Sequence, residues 1–369
     1  MDHRTYLKID LNKLEHNYNS VRNKLPSGVK LLGVIKANAY GNGAVEIGKF
    51  LDDKCDFFGV ACIEEAIELK KAGIKTPILI LGRVFPFDVE KAVKYDIRIP
   101  IFSYDDAVIL SNEAVKQNKN MPYHFCIDTG MSRIGFQINE ESADICKRIT
   151  ELPNIFAEGM FSHFATSDEA DLSKAVEQRN KYKQFCKMLS DRKIEIPIKH
   201  LNNSAGIMNF DEYFDMCRMG IVTYGLYPSE EVDKSLLDIE PIMSWYTKIS
   251  HIKELEPKRE ISYGGTFTTE KVATIPIGYA DAFPRCLSNK GKVIINGKYA
   301  KILGRVCMDQ FMVDVSDIDC NINDEVVIVG AQNGAHISIE ELSDSAYSFN
   351  YELPCRIPAR VNRVYVYND

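Results

Sequence analysis

Residues 31–41 read Leu31-Leu32-Gly33-Val34-Ile35-Lys36-Ala37-Asn38-Ala39-Tyr40-Gly41, an apolar run that stops at a lysine and gives way to a turn. Such a run reads as a strand, and runs of the same kind, rich in Val, Ile, Leu and Phe, recur at 57–61, 77–81, 97–101, 122–127, 156–162, 197–201 and 215–219. With the first they make eight. Between most of them lie helix-like stretches: 63–72 with its Glu/Lys face, 105–117, 140–152 and the long 172–193, while the stretch at 45–51 is short. Strands alternating with helices give right-handed βαβ units and a parallel sheet, and eight repeats close a barrel. The fold class expected is therefore α/β, with an N-terminal eight-stranded (β/α)8 TIM-like barrel over residues 1–234.

After about residue 235 the texture changes. Alternating runs at 246–252, 272–277, 292–295, 301–306, 310–315, 325–329 and 361–366 predict a second, mostly β domain over 235–369. Asn296-Gly297 between two of them is a strong hairpin signal, because both residues tolerate the positive φ of a type I′ turn. Residues 5–9 also read as a strand, and residues 1–10 can pair with this second domain rather than with the barrel.

At 369 residues the chain has room for two domains, and 45% hydrophobic with 26% charged residues is the balance of a globular protein. No apolar run is long enough to cross a bilayer and no signal-like start is present, so a soluble, cytoplasmic protein without a membrane partner is expected. A net charge of -7 with no Lys/Arg block excludes a general nucleic-acid binder. The ten cysteines are scattered without a CxxC pair, which reads as reduced thiols and gives no metal site.

In a barrel of this kind chemistry gathers at the C-terminal strand ends. Lys36 follows the first strand, 128–133 follow the fifth, His163 ends the sixth, Asn203 and Ser204 follow the seventh, and Arg218 lies within the eighth. A lone lysine after a strand is ordinarily a solvated cap, but here several polar residues converge. Between Ile35 and Ala37, Lys36 is expected to be partly desolvated, which favours the neutral amine that attacks an aldehyde. Tyr40-Gly41-Asn42-Gly43 can accept a phosphate or be a plain turn, and Ser204 can cap a helix, bind phosphate, or both. His163 and His200 read equally as core histidines. Arg218 is harder to place as structure alone, since a guanidinium inside a barrel strand is costly unless it faces acceptors.

Together these motifs resemble the bacterial alanine racemase family along nearly the whole chain. The pieces are 34–41, Asp128-Thr129-Gly130-Met131-Ser132-Arg133, Ser162-His163-Phe164-Ala165, Asn203-Ser204-Ala205, Arg218-Met219-Gly220-Ile221, Ser262-Tyr263-Gly264, Ile277-Gly278-Tyr279-Ala280-Asp281 and Cys307-Met308-Asp309. The resemblance implies pyridoxal 5'-phosphate as cofactor, held by Lys36 as a Schiff base, and a small amino acid as substrate. It implies two bases, Lys36 on one face of the α-carbon and Tyr263 on the other, which lets the proton leave one side and return on the opposite side. The tyrosine comes from the partner subunit, hence a head-to-tail homodimer with composite sites. By the same resemblance Arg218 faces the pyridine nitrogen without protonating it, His163 neighbours the ring, and His200 supports Arg218. Tyr40, Asn203, Ser204, Gly220 and Ile221 belong to the cofactor site. Arg133, Met308 and Asp309 line the substrate, and Asp168, Tyr279, Arg285, Arg305 and Ile357 narrow the corridor into the site.

Three positions depart from the family pattern. Cys126 stands where many members carry a lysine, often carbamylated, that positions Arg133. Asn42 replaces a histidine. Ala359 replaces a tyrosine that touches the phosphate and the pocket, so serine or larger substrates compete with alanine as expectations, beside D-alanine supply for peptidoglycan. Rival readings are a PLP decarboxylase, a non-catalytic PLP-binding protein, and a metal-dependent hydrolase using His163, His200 and Asp128, for which no HxH or HExxH spacing occurs.

Overall fold

The apolar runs become strands because helices cover them. In the computed structural model, which describes residues 3–265 and 268–367, all residues of Phe57–Val60, Ile78–Ile80, Ile99–Ile101 and Met216–Met219 are buried, as parallel strands with both faces covered must be. Along the chain the first nine strands are β1 (Thr5–Asp10), β2 (Lys30–Val34), β3 (Phe57–Val60), β4 (Ile78–Ile80), β5 (Ile99–Ile101), β6 (Met121–Cys126), β7 (Ile155–Phe161), β8 (Ile198–His200) and β9 (Met216–Met219). β2 to β9 pair in the order β4-β3-β2-β9-β8-β7-β6-β5. The ring closes between β4 and β5, where Ile80 N–H donates to the Arg98 carbonyl (3.0 Å) and Arg98 N–H to that of Ile78 (2.9 Å). This is the expected eight-stranded barrel, and each expected run overlaps one of its strands.

The chain divides into two compact units, one formed by Glu15–Ala39 and Ala44–Glu240, the other by Met1–Leu14, Tyr40–Gly43 and Pro241–Asp369. The first holds the barrel. Its helices Ile63–Lys71, Tyr104–Lys116, Glu140–Ile149 and Ser173–Asp191 lie on the expected stretches. Ser103 and Asn139 cap two of them by accepting the N–H of Asp106 and Ser142. One long helix, Leu11–Lys24, was not expected from the pattern. Its buried stripe includes Asn17, a polar residue that hides the period but is satisfied by the carbonyls of Thr223 (3.2 Å) and Glu240 (2.9 Å).

The second unit contains β10 (Met243–Lys248), β11 (His251–Glu254), β12 (Lys271–Ile275), β13 (Lys292–Ile295), β14 (Lys298–Leu303), β15 (Phe311–Asp314), β16 (Glu325–Gln332), β17 (Ala335–Ile337) and β18 (Asn362–Val366). With β1 they form the sheet β11-β12-β15-β14-β13-β16-β10-β1-β18, and β17 adds to β16. The only tryptophan of the sequence, Trp245, is fully buried here and gives its indole N–H to Thr5 Oγ1 at 2.9 Å. Asn296 (φ 52°) and Gly297 (φ 80°) make the expected turn between β13 and β14, with Ile295 opposite Lys298.

Two expectations for this unit are corrected. The run 246–252 is not one strand: β10 ends at Lys248 and β11 starts at His251, and they pair with different neighbours, which a continuous alternating pattern conceals. The strand expected at 301–306 is β14, which begins at the hairpin turn and ends at Leu303. Two short helices, Ile339–Ser345 and Glu352–Cys355, were not anticipated. No helix among the described residues is long and apolar enough to cross a membrane.

Candidate active site

Lys36 stands just past the end of β2 on an unusual turn. Ala37, Asn38, Ala39 and Tyr40 have φ between 51° and 54°, a left-handed helical turn made without glycine. Each such residue costs roughly 1–2 kcal/mol, so the surroundings must hold it. They do: Ala37 N–H donates to Glu65 Oε1 (2.6 Å), Ala61 N–H to Glu65 Oε2 (2.7 Å), Ala44 N–H to Asn38 Oδ1 (2.8 Å), and Ala39 N–H to the Ile35 carbonyl (2.9 Å). Glu65 therefore fixes the backbone beside Lys36, a role the sequence reading missed because the residue looks like one charge on a solvated helix face. Lys36 itself is half-buried.

Arg218 is the hub of the barrel interior. It is 3% exposed, and no carboxylate pairs with it among the described residues. Its Nη1 donates to His200 Nδ1 (3.0 Å) and the His200 carbonyl (3.1 Å); its Nη2 donates to the carbonyls of Ser162 (2.7 Å) and Leu201 (2.8 Å) and to His163 Nδ1 (3.2 Å). Those terminal nitrogens take all its side-chain hydrogen bonds among the described residues, leaving Nε–H for a ligand. Burial pulls its pKa down to about 10, and the guanidinium remains charged at neutral pH. Burial, then Arg218, Arg133 and Lys36, hold His163 far below the usual histidine range, and burial with Arg218 and His124 does the same to His200. Both imidazoles are therefore neutral, with Nδ1 committed to Arg218 as acceptor. That geometry removes them as ligands for the metal-hydrolase reading.

After β8, Asn203 caps the helix Ser204–Asn209, its Oδ1 accepting the N–H of Gly206 (2.9 Å) and the hydroxyl of Ser167 (2.9 Å). Its side-chain oxygen thus fixes the start of this helix beside Ser204. Ser204 is buried, and its Oγ accepts the N–H of Gly220 (3.0 Å) and of Val222 (3.5 Å). The Gly220 amide is thereby tied to Ser204. The Ser204 hydroxyl proton and the Ile221 N–H, at the start of the short helix Ile221–Tyr224, are the donors left at this spot.

The loop after β6 is shaped by Asp128, whose Oδ1 accepts the N–H of Gly130 (2.9 Å) and Ser132 (3.0 Å). Arg133 in this loop is exposed and makes no hydrogen bond or ion pair among the described residues. Cys126 does not take over the missing lysine's work: its thiol turns to the Ile134 carbonyl at 3.7 Å, and burial pushes its pKa up to about 12 against the pull of Arg218 and Arg133. Cys126, Asp128, Met131, Arg133 and His163 line one small cavity. Asp168 is half-buried, its carbonyl accepting the Ser229 hydroxyl.

The other expected residues belong to the second unit. Tyr40 is buried, its ring 6.1 Å from that of Tyr351, and burial raises its phenol pKa. Tyr263 is 69% exposed, between Ser262 (φ 65°) and Gly264 (φ 84°), and Ser262 Oγ ties that turn to both the N–H and the carbonyl of Arg305 at 3.0 Å. Met308 and Tyr279 are exposed, and the N–H groups of Tyr279 and Ala280 donate to the carbonyls of Cys307 (3.1 Å) and Met308 (2.9 Å), knitting the two loops together. Asp309 is held by Arg360 at 2.7 Å, and Arg360 also holds the buried Asp281 at 2.9 Å. Ile357 is buried, and Arg285 opens a short helical turn, Arg285–Leu287.

Sequence reasoning also missed what stands behind His200. His124 Nδ1 lies 2.9 Å from His200 Nε2, and His124 Nε2 lies 3.2 Å from Glu158 Oε2. The signal was present: a histidine and a glutamate inside apolar strand runs. Room for the His124 ring depends on Gly159, where an added Cβ would come within 2.5 Å of that ring and 2.8 Å of the Ile198 carbonyl. Gly159→Ala is expected to cost about 1–3 kcal/mol of stability, read by urea or thermal melting. An unchanged melting curve would contradict this packing.

The comparisons agree with the geometry. The descriptions "Alanine racemase, N-terminal domain" and "Alanine racemase, C-terminal domain" match residues 9–228 and 242–365. Alanine racemase 1 of Clostridium acetobutylicum is 42% identical over 369 residues, spanning 98% of this chain and 95% of that protein. The alanine racemase of Methanococcus maripaludis is 40% identical over 373 residues, spanning 100% of both. Among solved structures, that of the alanine racemase of Clostridium difficile is similar with a TM-score of 0.94 and 41% identity, covering 99% of this chain and 96% of that one. The chain belongs to the alanine racemase family, and with it to the isomerases.

Proposed function

We propose that this protein interconverts L- and D-alanine with pyridoxal 5'-phosphate as cofactor, and that the product D-alanine serves peptidoglycan synthesis. The observation that carries the reading is Arg218, a fully enclosed guanidinium whose terminal nitrogens are satisfied by neutral acceptors while Nε–H is left to a ligand. Such a donor suits a ring nitrogen that must be hydrogen-bonded yet not protonated. The residues present fit the group in its other parts as well. Lys36 offers an amine at the strand end for the aldehyde, and Ser204 and Ile221 offer donors to a phosphate.

When bound, pyridoxal phosphate supplies an electron sink for the negative charge left when the α-proton departs. The chain's own residues do the rest. Lys36 Nζ takes or gives the proton on one face, and Tyr263 Oη does so on the other. Neutral His163 keeps Nδ1 on Arg218 and presents Nε2–H toward the site. Arg133, without a partner in its own unit, receives the substrate carboxylate together with Met308. We place Tyr263 on a second copy of the chain, in a head-to-tail homodimer with composite sites, and its high exposure supports that role.

The test is direct. Purified protein incubated with pyridoxal phosphate should turn visible-absorbing, convert L-alanine to D-alanine, and lose the band on borohydride reduction with the label mapped to Lys36. A colourless protein, or one that releases CO₂ from a basic amino acid without racemising alanine, overturns the proposal.

Ala359 is exposed and brings no phenol to the pocket. Ala359→Tyr should lower the serine-to-alanine ratio of kcat/KM by about three- to tenfold. It should also tighten cofactor binding by about 1.5–3 kcal/mol through the restored hydrogen bond to a charged acceptor. An unchanged ratio would remove Ala359 as the source of any broad specificity.

A further inference from the structure

Behind Arg218 a file of polar side chains crosses the barrel interior from His200 through His124 and Glu158 to Arg98, just ahead of β5. Its hydrogen bonds have one permitted direction. A guanidinium can only donate, so His200 Nδ1 is bare and its single proton sits on Nε2. That proton is given to His124 Nδ1 at 2.9 Å, which places the His124 proton on Nε2 and sends it to Glu158 Oε2 at 3.2 Å. Glu158 can accept because Arg98 grips both its oxygens, at 3.1 and 3.2 Å. Burial by itself would raise the Glu158 carboxyl, yet the hydrogen bonds from His124 and Arg98 bring it down to about 2. Burial likewise keeps His124 below the usual histidine range.

The backbone is built for this file. β6 and β7 slip register between Tyr123, opposite Ala157, and His124, opposite Gly159, so Glu158 is the extra residue of a bulge. Bulges re-aim side chains, and this one turns a glutamate from an apolar strand onto a buried histidine. Gly159 next to it leaves the space that the imidazole fills. Phe161 stacks on the His200 ring at 5.2 Å, and the Tyr182 hydroxyl accepts the His200 backbone N–H at 3.2 Å, so both the ring and the strand that carries it are packed in place.

We propose that His124 and Glu158 are positioning residues of the racemase site: anchored by Arg98, they lock His200 as the Nε2–H tautomer, so that its Nδ1 always accepts from Arg218 and the guanidinium stays turned with Nε–H toward the ligand. The opposite tautomer would set Nδ1–H against the Arg218 N–H, donor against donor, and drive the guanidinium out of place. The role for the ligand rests on the function proposed above; the tautomer itself does not.

The experiment is long-range ¹H–¹⁵N NMR on protein with ¹⁵N-labelled histidine, with and without bound pyridoxal phosphate, beside alanine racemisation kinetics. In the native protein His200 and His124 should both be neutral and protonated on Nε2. A proton on Nδ1 of either ring, or a charged ring, overturns the proposal without needing any variant to fold. His124→Leu and Glu158→Leu should each lower kcat about tenfold or more while KM stays within about twofold, with mixed His200 tautomers in the spectrum. Glu158→Gln, which keeps an acceptor oxygen for His124, should recover most of the kcat that Glu158→Leu loses. Loss of kcat with the His200 tautomer intact, or no rescue by glutamine, would show a packing role instead. If the native protein fails to racemise alanine, the proposed function falls while the tautomer measurement still decides this inference.

Discussion

Lys36→Ala is expected to abolish racemisation, with kcat lower by roughly a thousandfold or more, because in the proposed reaction one side chain serves both as the attachment point of the cofactor and as the base on one face. Lys36→Arg should fare no better, since a guanidinium neither attacks an aldehyde nor gives up a proton at neutral pH. The fold should survive both changes, because the left-handed turn is held through Ala37 N–H, Asn38 and Ala39 N–H rather than through the Lys36 side chain alone. A composite site sharpens the test. If Tyr263 comes from the partner, unfolding and refolding Lys36→Ala together with Tyr263→Ala should restore about a quarter of native activity, as half the dimers are mixed and each mixed dimer owns one intact site. Two variants that stay dead in the mixture would place both residues on the same copy.

Much of this site was legible because barrels put chemistry at strand ends. Lys36, His163, Ser204 and Arg218 announce themselves as polar residues that terminate or interrupt apolar runs, and the structure gathers His163 and Arg218 into one hydrogen-bonded cluster. The limits of legibility are equally specific. That Asn203 Oδ1 caps a helix and that the Gly220 N–H donates to Ser204 cannot be read from residue type, because only hydrogen-bond geometry draws it. Glu65 was invisible because its work is done on backbone amides, one of them at Ala37, 28 residues away. The His124–Glu158 pair depends on a bulge, and a one-residue slip of register leaves no mark in hydrophobic period. In the second unit the corner between β10 and β11 was lost for a related reason: alternation continues through a change of partner.

Tyr263→Phe separates the two proposed bases more cleanly than any change at Lys36, because the proposed reaction gives the tyrosine no part in holding the cofactor. The equilibrium constant between enantiomers is unity, so loss of either base must lower kcat/KM equally in both directions, here by about a hundred- to a thousandfold. Equal loss therefore does not reveal which face was damaged. Exchange with solvent does. With the phenol gone, Lys36 can still remove and return the α-hydrogen of the enantiomer that presents it to the lysine face, but it cannot deliver a proton to the other side. In D₂O that enantiomer should lose its α-hydrogen much faster than it inverts, while its mirror image keeps the hydrogen on the same timescale. Following each enantiomer separately by proton NMR together with chiral analysis reads both rates at once. If both enantiomers exchange alike, or if racemisation stays within about tenfold of native, one residue must reach both faces of the α-carbon. Division of labour between Lys36 and Tyr263 would then have to be abandoned, whatever remained of the cofactor assignment.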